Sequence, residues 1–292
     1  MTSIAQVIDL SKATLVVSPS IKAQQRDTYV RVLQEEVRNR TSINLPLSVG
    51  KTPHIALALS SDQSVDGFSL PVIPLNSPAR KKEGFSMTFQ GDVLWLIGAD
   101  ERGVLFAIGE FLRRANLSKL KIIFDKKDEI QTAPTYALRG HQLGYRNTAN
   151  SWDAWDFTQY ERYIRELALF GTNAIENIPF QDGPPGPHMK IPRADMNLKM
   201  SQICQDYGLE YLVWTPGDVD LSDPVKFKEE VRQHAEFYKK CPQLDGVFFP
   251  GGDPGSNHPK DVMPFLKAIA AELKISHPNA GMWISLQGFS DA

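Results

Sequence analysis

The chain has 292 residues, of which 42% are hydrophobic and 23% are charged, and its formal net charge is −2 at pH 7. This balance excludes a disordered chain and lacks the basic excess of nucleic-acid-binding domains, so we expect no nucleic acid as a partner. No run of about 18 apolar residues is present, and we therefore expect no membrane-spanning helix. The N-terminal segment lacks the basic and apolar regions of a signal peptide, which leaves the localisation unknown.

The first part of the chain, residues 1–131, mixes helix and strand patterns irregularly and predicts an α+β domain. Residues 60–83, rich in Ser, Pro, Asp and Lys, predict a loop, and residues 132–136 predict a linker. Apolar spacing predicts helices over 24–38 and 99–114. Short apolar or alternating runs predict strands at 14–17, 54–59, 85–90, 93–98 and 121–124.

The second part of the chain is regular. Five apolar, strand-like segments begin at residues 137, 174, 210, 246 and 281, so that their starts lie 35–37 residues apart. A helical pattern fills each interval: Thr158 and Glu161 have capping-box spacing, Gly171 is positioned to end the first helix, and Asp223 to begin the third. In the fourth, Met263 belongs to the apolar side. This repeat predicts a parallel sheet covered by helices.

Two architectures are compatible with such a repeat, a doubly wound open sheet and a (β/α)8 barrel. The first loop has no Gly-rich phosphate-binding turn, and polar and aromatic residues follow every strand, which favours the barrel. Five strands fit within the 292 residues, whereas a closed barrel needs eight. We therefore expect an α/β fold, with an α+β domain at 1–131 and an incomplete barrel at 132–292 whose open edge allows self-association.

The predicted strand ends carry carboxylate and aromatic side chains, and in barrels the chemistry lies at this rim. Aromatic rings stack on the apolar faces of sugars, while carboxylates bind hydroxyl groups and supply the acid–base pair of a glycosidase. The residues of interest are Arg139, His141, Tyr145, Glu176, Asp182, Trp214, Asp218, Asp253, Trp283 and Gln287. His141, His188 and His258 are scattered without metal-ligand spacing, so we expect no metal and no cofactor.

Each of these side chains also has a purely structural interpretation. Arg139 could pair with Glu176, the tryptophans could fill loop cores, Asp218 could cap the third helix, and Asp253 suits a turn. The two cysteines, Cys204 and Cys241, are interpreted as buried packing residues, with a single disulfide or reactive thiols as the alternatives.

The segment 83–114, in which Asp100, Arg102 and Gly103 precede an amphipathic helix, resembles the small α+β domain that precedes the barrel in beta-N-acetylhexosaminidases, alpha-glucuronidases and related glycoside hydrolases. Arg139-Gly140 is similar to the opening barrel strand of hexosaminidases, whose arginine binds sugar hydroxyls. Residues 249–253, Phe-Pro-Gly-Gly-Asp, resemble their Gly-Gly-Asp-Glu signature. In that family the Asp orients the substrate's N-acetyl group, the Glu is the general acid, and the acetamide oxygen is the nucleophile.

The sequence departs from the hexosaminidase pattern at the general acid, where Pro254 cannot donate a proton, and Gly144 replaces the acidic residue of the opening strand. Asp253-Pro254-Gly255 is more similar to alpha-glucuronidases, which place a lone acidic residue after strand four.

We therefore predict a glycoside hydrolase-like protein that acts on O-glycosidic bonds of a carbohydrate. Asp253 is the candidate general acid, or the residue that positions it. The alternatives are non-catalytic carbohydrate binding and a truncated, inactive glycosidase homologue. The candidate sugar-binding residues are Arg139, His141, Tyr145, Glu176, Asp182, Trp214, Asp218, Trp283 and Gln287.

Overall fold

The computed structural model of the protein describes residues 7–50, 53–143, 154–177, 179–180, 188–252 and 257–289. The chain divides into two compact units. The first consists of Met1–Ala137, Glu166–Gly171 and Asp206–Gly208, and the second of Leu138–Arg165, Thr172–Gln205 and Leu209–Ala292. Among the described helices, none combines the length and the apolar character that crossing a membrane requires.

The first unit contains the irregular mixture of strands and helices that the sequence predicts. All five expected strands and both expected helices are confirmed, while several strands of two or three residues were missed because they are too short to show a pattern. Its elements are β1 (Val7–Asp9), β2 (Thr14–Val17), α1 (Ala23–Thr41), β3 (His54–Leu59), β4 (Ser64–Val65), β5 (Phe68–Ser69), β6 (Phe85–Gln90), β7 (Val93–Gly98), α2 (Glu101–Arg114), β8 (Asn116–Ser118), β9 (Lys121–Asp125) and β10 (Ile130–Thr132).

A five-stranded mixed sheet, in the order β10-β6-β7-β3-β2, forms the centre of this unit. β2, β3 and β7 run parallel, while β6 pairs antiparallel with β7 across a turn at Gly91, where φ is +61°. β10 pairs with β6 through Thr132 and Phe85, so the expected linker begins at the last residue of a strand. A three-stranded antiparallel sheet, β1-β9-β8, completes the unit.

The junction between β7 and α2 is fixed by Asp100, the first residue of the motif that carries the family resemblance. Its carboxylate accepts hydrogen bonds from the backbone N–H of Gly103, at 2.9 Å, and of Glu83, at 2.8 Å. A β-carbon on Gly103 would overlap the carbonyl oxygen of Gly84. The motif therefore has a structural role here: it caps the helix and allows two backbone segments to approach closely.

Replacing Asp100 with alanine removes both hydrogen bonds, and we expect the free energy of unfolding to fall by about 1–2 kcal/mol. Asp100→Asn keeps an oxygen that can accept from the helix N-terminus and is expected to lose less. Urea denaturation of both variants measures the difference. Equal stability of Asp100→Ala and the wild type would contradict this role.

The second unit contains five parallel strands that alternate with helices, and the α/β fold class is confirmed. The strands pair in chain order, which is the arrangement of consecutive units in a barrel. Its elements, of which the last residues of α3 and α4 belong to the first unit, are β11 (Gly140–Gln142), α3 (Phe157–Leu169), β12 (Ala174–Asn177), α4 (Arg193–Tyr207), β13 (Glu210–Trp214), α5 (Pro224–Lys240), β14 (Gly246–Phe249), α6 (Pro259–Ser276) and β15 (Gly281–Ile284).

The ends of these helices follow the predicted signals with one exception. Asp223 caps α5 through the backbone N–H groups of Val225 and Lys226, and Gly171 has the positive φ expected after α3. The expected capping box at Thr158 is wrong. Asp156 and Gln159 instead exchange side-chain to backbone hydrogen bonds at 2.9 and 3.1 Å, because α3 begins at Phe157, two residues before the start that a Thr158 cap implies.

Two expectations about helix packing have different outcomes. Met263 is 47% exposed rather than packed, because Val262 and Phe265 occupy the buried side of α6. Cys204 and Cys241 are buried and form no disulfide, which confirms their interpretation as packing residues. Burial raises the pKa of Cys241 to about 12, so its thiol stays protonated at neutral pH.

The two faces of the parallel sheet differ in exposure. Residues on the helix-facing side, such as Ile175, Tyr211 and Val247, are fully buried. Alternate residues point to the other side, where Glu176 is partly buried and Trp283 is 48% exposed. The predicted cover of helices is therefore present on one face of the sheet, and the other face is partly exposed. Within the described residues β11 and β15 each pair on one side, so the sheet is open.

Candidate functional site

A cavity of about 380 Å³ lies on the open face of the parallel sheet. All five strands reach it because side chains in register on neighbouring parallel strands point to the same side. Its lining is mostly apolar: it includes three apolar side chains and one indole, with one carboxyl group among the few polar groups. Such a lining is typical of ligand sites. The lining residues are Leu138, Gly140, His141, Gln142, Glu176, Leu212, Phe248 and Trp283.

Glu176 on β12 is the carboxyl group of this lining. It is in register with Gln142 on β11 and with Leu212 on β13. Burial raises the pKa of Glu176 above its ordinary value, and a hydrogen bond from the Gln142 side chain opposes that shift without cancelling it. A partly desolvated carboxyl beside a carboxamide can accept a hydrogen bond from a ligand and, when protonated, donate one.

Trp283 supplies an aromatic surface, and two glycines make room for it. A β-carbon on Gly246 would overlap the indole, and one on Gly281 would lie 3.1 Å from it. The indole therefore lies against the backbone of β14 and β15, while 48% of Trp283 stays exposed. Phe248, in register with Trp283, lines the same cavity.

Gly246→Ala is expected to displace the indole of Trp283, because the new methyl group occupies the same space. We expect a changed tryptophan emission spectrum and a loss of about 1–3 kcal/mol in the free energy of unfolding, as for other overpacked sites. The matched control is Gly140→Ala, since the nearest atom to a β-carbon there lies 3.6 Å away. If both variants leave the emission unchanged, the described packing of Trp283 is incorrect.

The opening strand places its two predicted sugar-binding residues differently. His141 lines the cavity, but its Nε2 lies 3.1 Å from the hydroxyl of Tyr163, whose ring packs edge-on against the imidazole. Arg139 contributes its backbone N–H to the side chain of Asn173 at 2.8 Å and is not among the lining residues. The structure therefore brings His141 to the edge of the cavity and leaves Arg139 outside its lining.

Trp214 ends β13 as a buried residue outside the lining of the cavity. The next residue, Thr215, lies with its Oγ1 3.0 Å from Nε2 of His234, whose Nδ1 lies 2.9 Å from the backbone oxygen of Glu230. Burial lowers the pKa of His234 to about 4, so the ring is neutral at physiological pH. A neutral ring that donates from Nδ1 accepts the threonine proton at Nε2, and this pair holds the end of β13 in place.

Asp218 lies in a separate, polar cavity of about 450 Å³ between the loops that follow β13 and β14. Asn257, which is not among the predicted sugar-binding residues, organises this region. Its amide donates to the backbone oxygens of Gly217 and Val219, at 2.9 and 2.8 Å, and its oxygen accepts from the N–H of Leu221 at 2.8 Å. The structure therefore does not place Asp218 with the residues around Glu176.

The backbone of Gln287 takes part in a contact between two loops. Its carbonyl oxygen accepts from the N–H of Gly252 at 2.8 Å, and Ser285 donates to the oxygen of Pro250 at 2.9 Å. A β-carbon on Gly251 would overlap the Ser285 oxygen. The loop after β15 thus holds residues 250–252 at the carboxyl end of β14.

Three selected residues, Tyr145, Asp182 and Asp253, lie outside the described residues. Within the described part of the chain, no three His, Cys, Asp or Glu side chains are grouped so that they could hold a metal ion. Leu212 and Phe248 belong to the cavity but were not selected, because apolar residues within strands give no signal that distinguishes cavity from core.

The raised pKa of Glu176 has a consequence for stability. At pH values between the pKa of Glu176 in the unfolded state and its higher pKa in the folded state, the folded state binds more protons. The contribution of Glu176 to the free energy of unfolding therefore falls as pH rises through this range. Glu176→Gln removes this dependence. We expect the variant to gain stability relative to the wild type at pH 7.5 but not at pH 3.5, where the wild-type carboxyl is protonated in both states. Urea denaturation at the two pH values measures this, and an equal difference at both would contradict it.

Comparisons with known proteins identify the fold. No family model matches the chain, and no curated protein matches it in sequence. The structure is similar to the GH20 beta-N-acetylhexosaminidase of Streptomyces coelicolor A3(2), with a TM-score of 0.69 at 12% identity over 96% of this chain and 63% of the other. The GH20 exo beta-N-acetylglucosaminidase of Vibrio harveyi gives a TM-score of 0.67 at 11% identity, over 97% of this chain and 52% of the other.

A third solved structure, CpGH84B, gives a TM-score of 0.63 at 13% identity, over 98% of this chain and 49% of that one. Likeness at such low identity shows the fold: an α/β protein that is similar to GH20 and GH84 structures and contains part of their barrel. The chain spans roughly half to two thirds of the length of these three proteins.

Proposed function

We propose that this protein is a glycoside hydrolase-like protein that binds a carbohydrate in the cavity around Glu176 and acts on an O-glycosidic bond. The observation that carries the proposal is that the partly desolvated carboxyl of Glu176 and the indole of Trp283 line the same cavity on the open face of the sheet. The similarity to GH20 and GH84 structures supports the same class of function.

The cavity matches the two-sided chemistry of a pyranose ring. Trp283, Phe248 and Leu212 offer an apolar surface to the CH face of a sugar, while Gln142 and Glu176 offer hydrogen-bond donors and acceptors to its hydroxyl groups. Its volume of about 380 Å³ lies within the range of small-molecule sites. Both kinds of group come from strands, which hold side chains more rigidly than loops do.

The proposed general acid, or the residue that positions it, is Asp253. Asp253 follows Gly252 in the sequence. The N–H of Gly252 donates to the carbonyl oxygen of Gln287, which anchors the segment directly before Asp253. Barrel enzymes place catalytic residues after the strands at this end of the sheet. Tyr145 and Asp182 are proposed as further substrate-binding residues on the basis of sequence.

Non-catalytic carbohydrate binding is the second candidate function. It is favoured by a specific observation: Glu176 is the single carboxyl group among the described residues that line the cavity. In addition, Pro254 stands where the hexosaminidase pattern has its general acid. A site of this kind retains the binding surface without the pair of acidic groups that glycoside hydrolysis generally uses.

The test compares the hydrolysis of aryl glycosides, including aryl uronosides, by the wild type and by Asp253→Asn. We expect the substitution to lower kcat by about 100-fold or more, since it removes a proton donor. The matched control is Asp27→Asn on the exposed side of α1, which is expected to keep the wild-type rate. Equal hydrolysis by the wild type and Asp253→Asn would reject the role of Asp253.

Calorimetric titration with a panel of glycans separates the two candidate functions. Binding together with turnover supports the hydrolase, and binding without turnover supports the non-catalytic alternative. The absence of both would reject the cavity as a carbohydrate site.

A further inference from the structure

The charges around the cavity restrict the sugars that it can hold. Among the described lining residues Glu176 is the sole acidic group, and no lysine or arginine is present. Arg139, which neighbours the cavity in sequence, is not part of the lining. Among the described residues of the lining, a ligand that fills this cavity therefore meets one carboxyl group and no permanent positive charge.

We propose that Glu176 makes the cavity selective for neutral sugars and excludes uronic acids and other anionic sugars. This inference rests on the proposed function, because it specifies the class of substrate for the same site.

The position of Glu176 supports this selectivity. It lies on the second of five strands, with Gln142 in register on one side and Leu212 on the other. In a cavity of about 380 Å³ a bound sugar ring stays within about 10 Å of the carboxyl, which is roughly one Debye length at 0.1 M salt. The apolar side chains of Leu212, Phe248 and Trp283 exclude part of the water that would otherwise screen the two like charges.

Gln142 adds to the selectivity by occupying one side of the carboxyl. Its side chain hydrogen-bonds the Glu176 carboxyl. Because a carboxamide is neutral, this contact does not compensate the negative charge of the ionised Glu176. A neutral sugar can still share hydrogen bonds with this pair, because a carboxamide both donates and accepts. A sugar carboxylate would add a second negative charge that no described lining residue compensates, and like-charge contacts of this kind are a common basis of discrimination.

Burial raises the pKa of Glu176, so the discrimination has a pH dependence. Above this pKa the group is ionised and repels an anionic sugar; below it the group is neutral and the repulsion disappears. Gln142 and Leu212, which flank Glu176 on the neighbouring strands, do not titrate in this range. Phe248 and Trp283, which line the same cavity from the more distant strands, do not titrate either. His141 is the other titratable residue of the lining. Its side chain is in register with Ile175 on the helix-facing side and contacts Tyr163, and a His141→Gln variant separates its contribution.

The experiment compares three methyl glycosides of matched shape: the glucoside, the glucuronide and the glucuronamide, each as both anomers. The glucuronamide has the shape of the glucuronide without its charge. Calorimetric titration of the full chain at pH 8 is expected to give a glucuronide affinity at least about tenfold weaker than the glucuronamide affinity. Lowering the pH toward 4 is expected to narrow this gap, in the wild type and in His141→Gln alike.

In Glu176→Gln the gap between glucuronide and glucuronamide is expected to fall to about twofold or less at pH 8. The matched control is Glu272→Gln on α6, which makes the same change of net charge away from the cavity and is expected to keep the full gap. Should Glu176→Gln fail to fold, the pH series on the wild type and His141→Gln still tests the inference.

Three outcomes would overturn the inference: equal affinities for glucuronide and glucuronamide in the wild type, a gap that Glu176→Gln leaves unchanged, or a gap that does not narrow at low pH. If sugars bind with equal strength irrespective of charge, only the selectivity is rejected and the proposed function stands. If none of the three glycosides binds, the proposed function falls and the selectivity falls with it.

Discussion

The register of the five parallel strands is the constraint on which the candidate site depends. Because side chains alternate along a strand, a fixed register sends Gln142, Glu176 and Leu212 to one face as a row. A slip of one residue would turn Glu176 toward the helices and bring Ile175 to the open face. Such a slip is disfavoured, since it would bury a carboxyl group and expose an isoleucine that is now fully buried.

The glycines of the second unit follow from the same constraint. Trp283 is in register with Phe248, and its indole lies against the backbone of Gly246 on the same neighbouring strand. Glycine is required there because a β-carbon would overlap the indole. Gly251 is required because the loops after β14 and β15 approach each other backbone to backbone. The sheet therefore sets both the aromatic surface of the cavity and the path of the chain through residues 250–252. By contrast, the motif with Asp100 and Gly103 builds a helix junction in the first unit, which explains its presence without any contact with a ligand.

Much of the fold could be predicted because its signals are local. The 35–37-residue repeat places all five parallel strands, and Asp223 and Gly171 mark helix ends by hydrogen bonds or backbone angles within a few residues. Strands of two or three residues, such as β8, were missed since they span less than two periods of alternation. The sequence offers two capping boxes, Thr158 with Glu161 and Asp156 with Gln159, and the structure forms the second. Both have the required chemistry and spacing, so the local sequence does not show which of them forms.

The sequence by itself determined the fold class, the longer helices and strands, and the class of residues at the strand ends, because composition and periodicity are properties of neighbouring residues. Only the tertiary structure decided which of these residues meet. It brought Glu176 and Trp283 to one cavity with Leu212 and Phe248, bonded His141 to Tyr163, and placed Asp218 in a different cavity. The physical reason is that strand pairing joins residues about 35 positions apart, and their proximity depends on register rather than on any pattern along the chain.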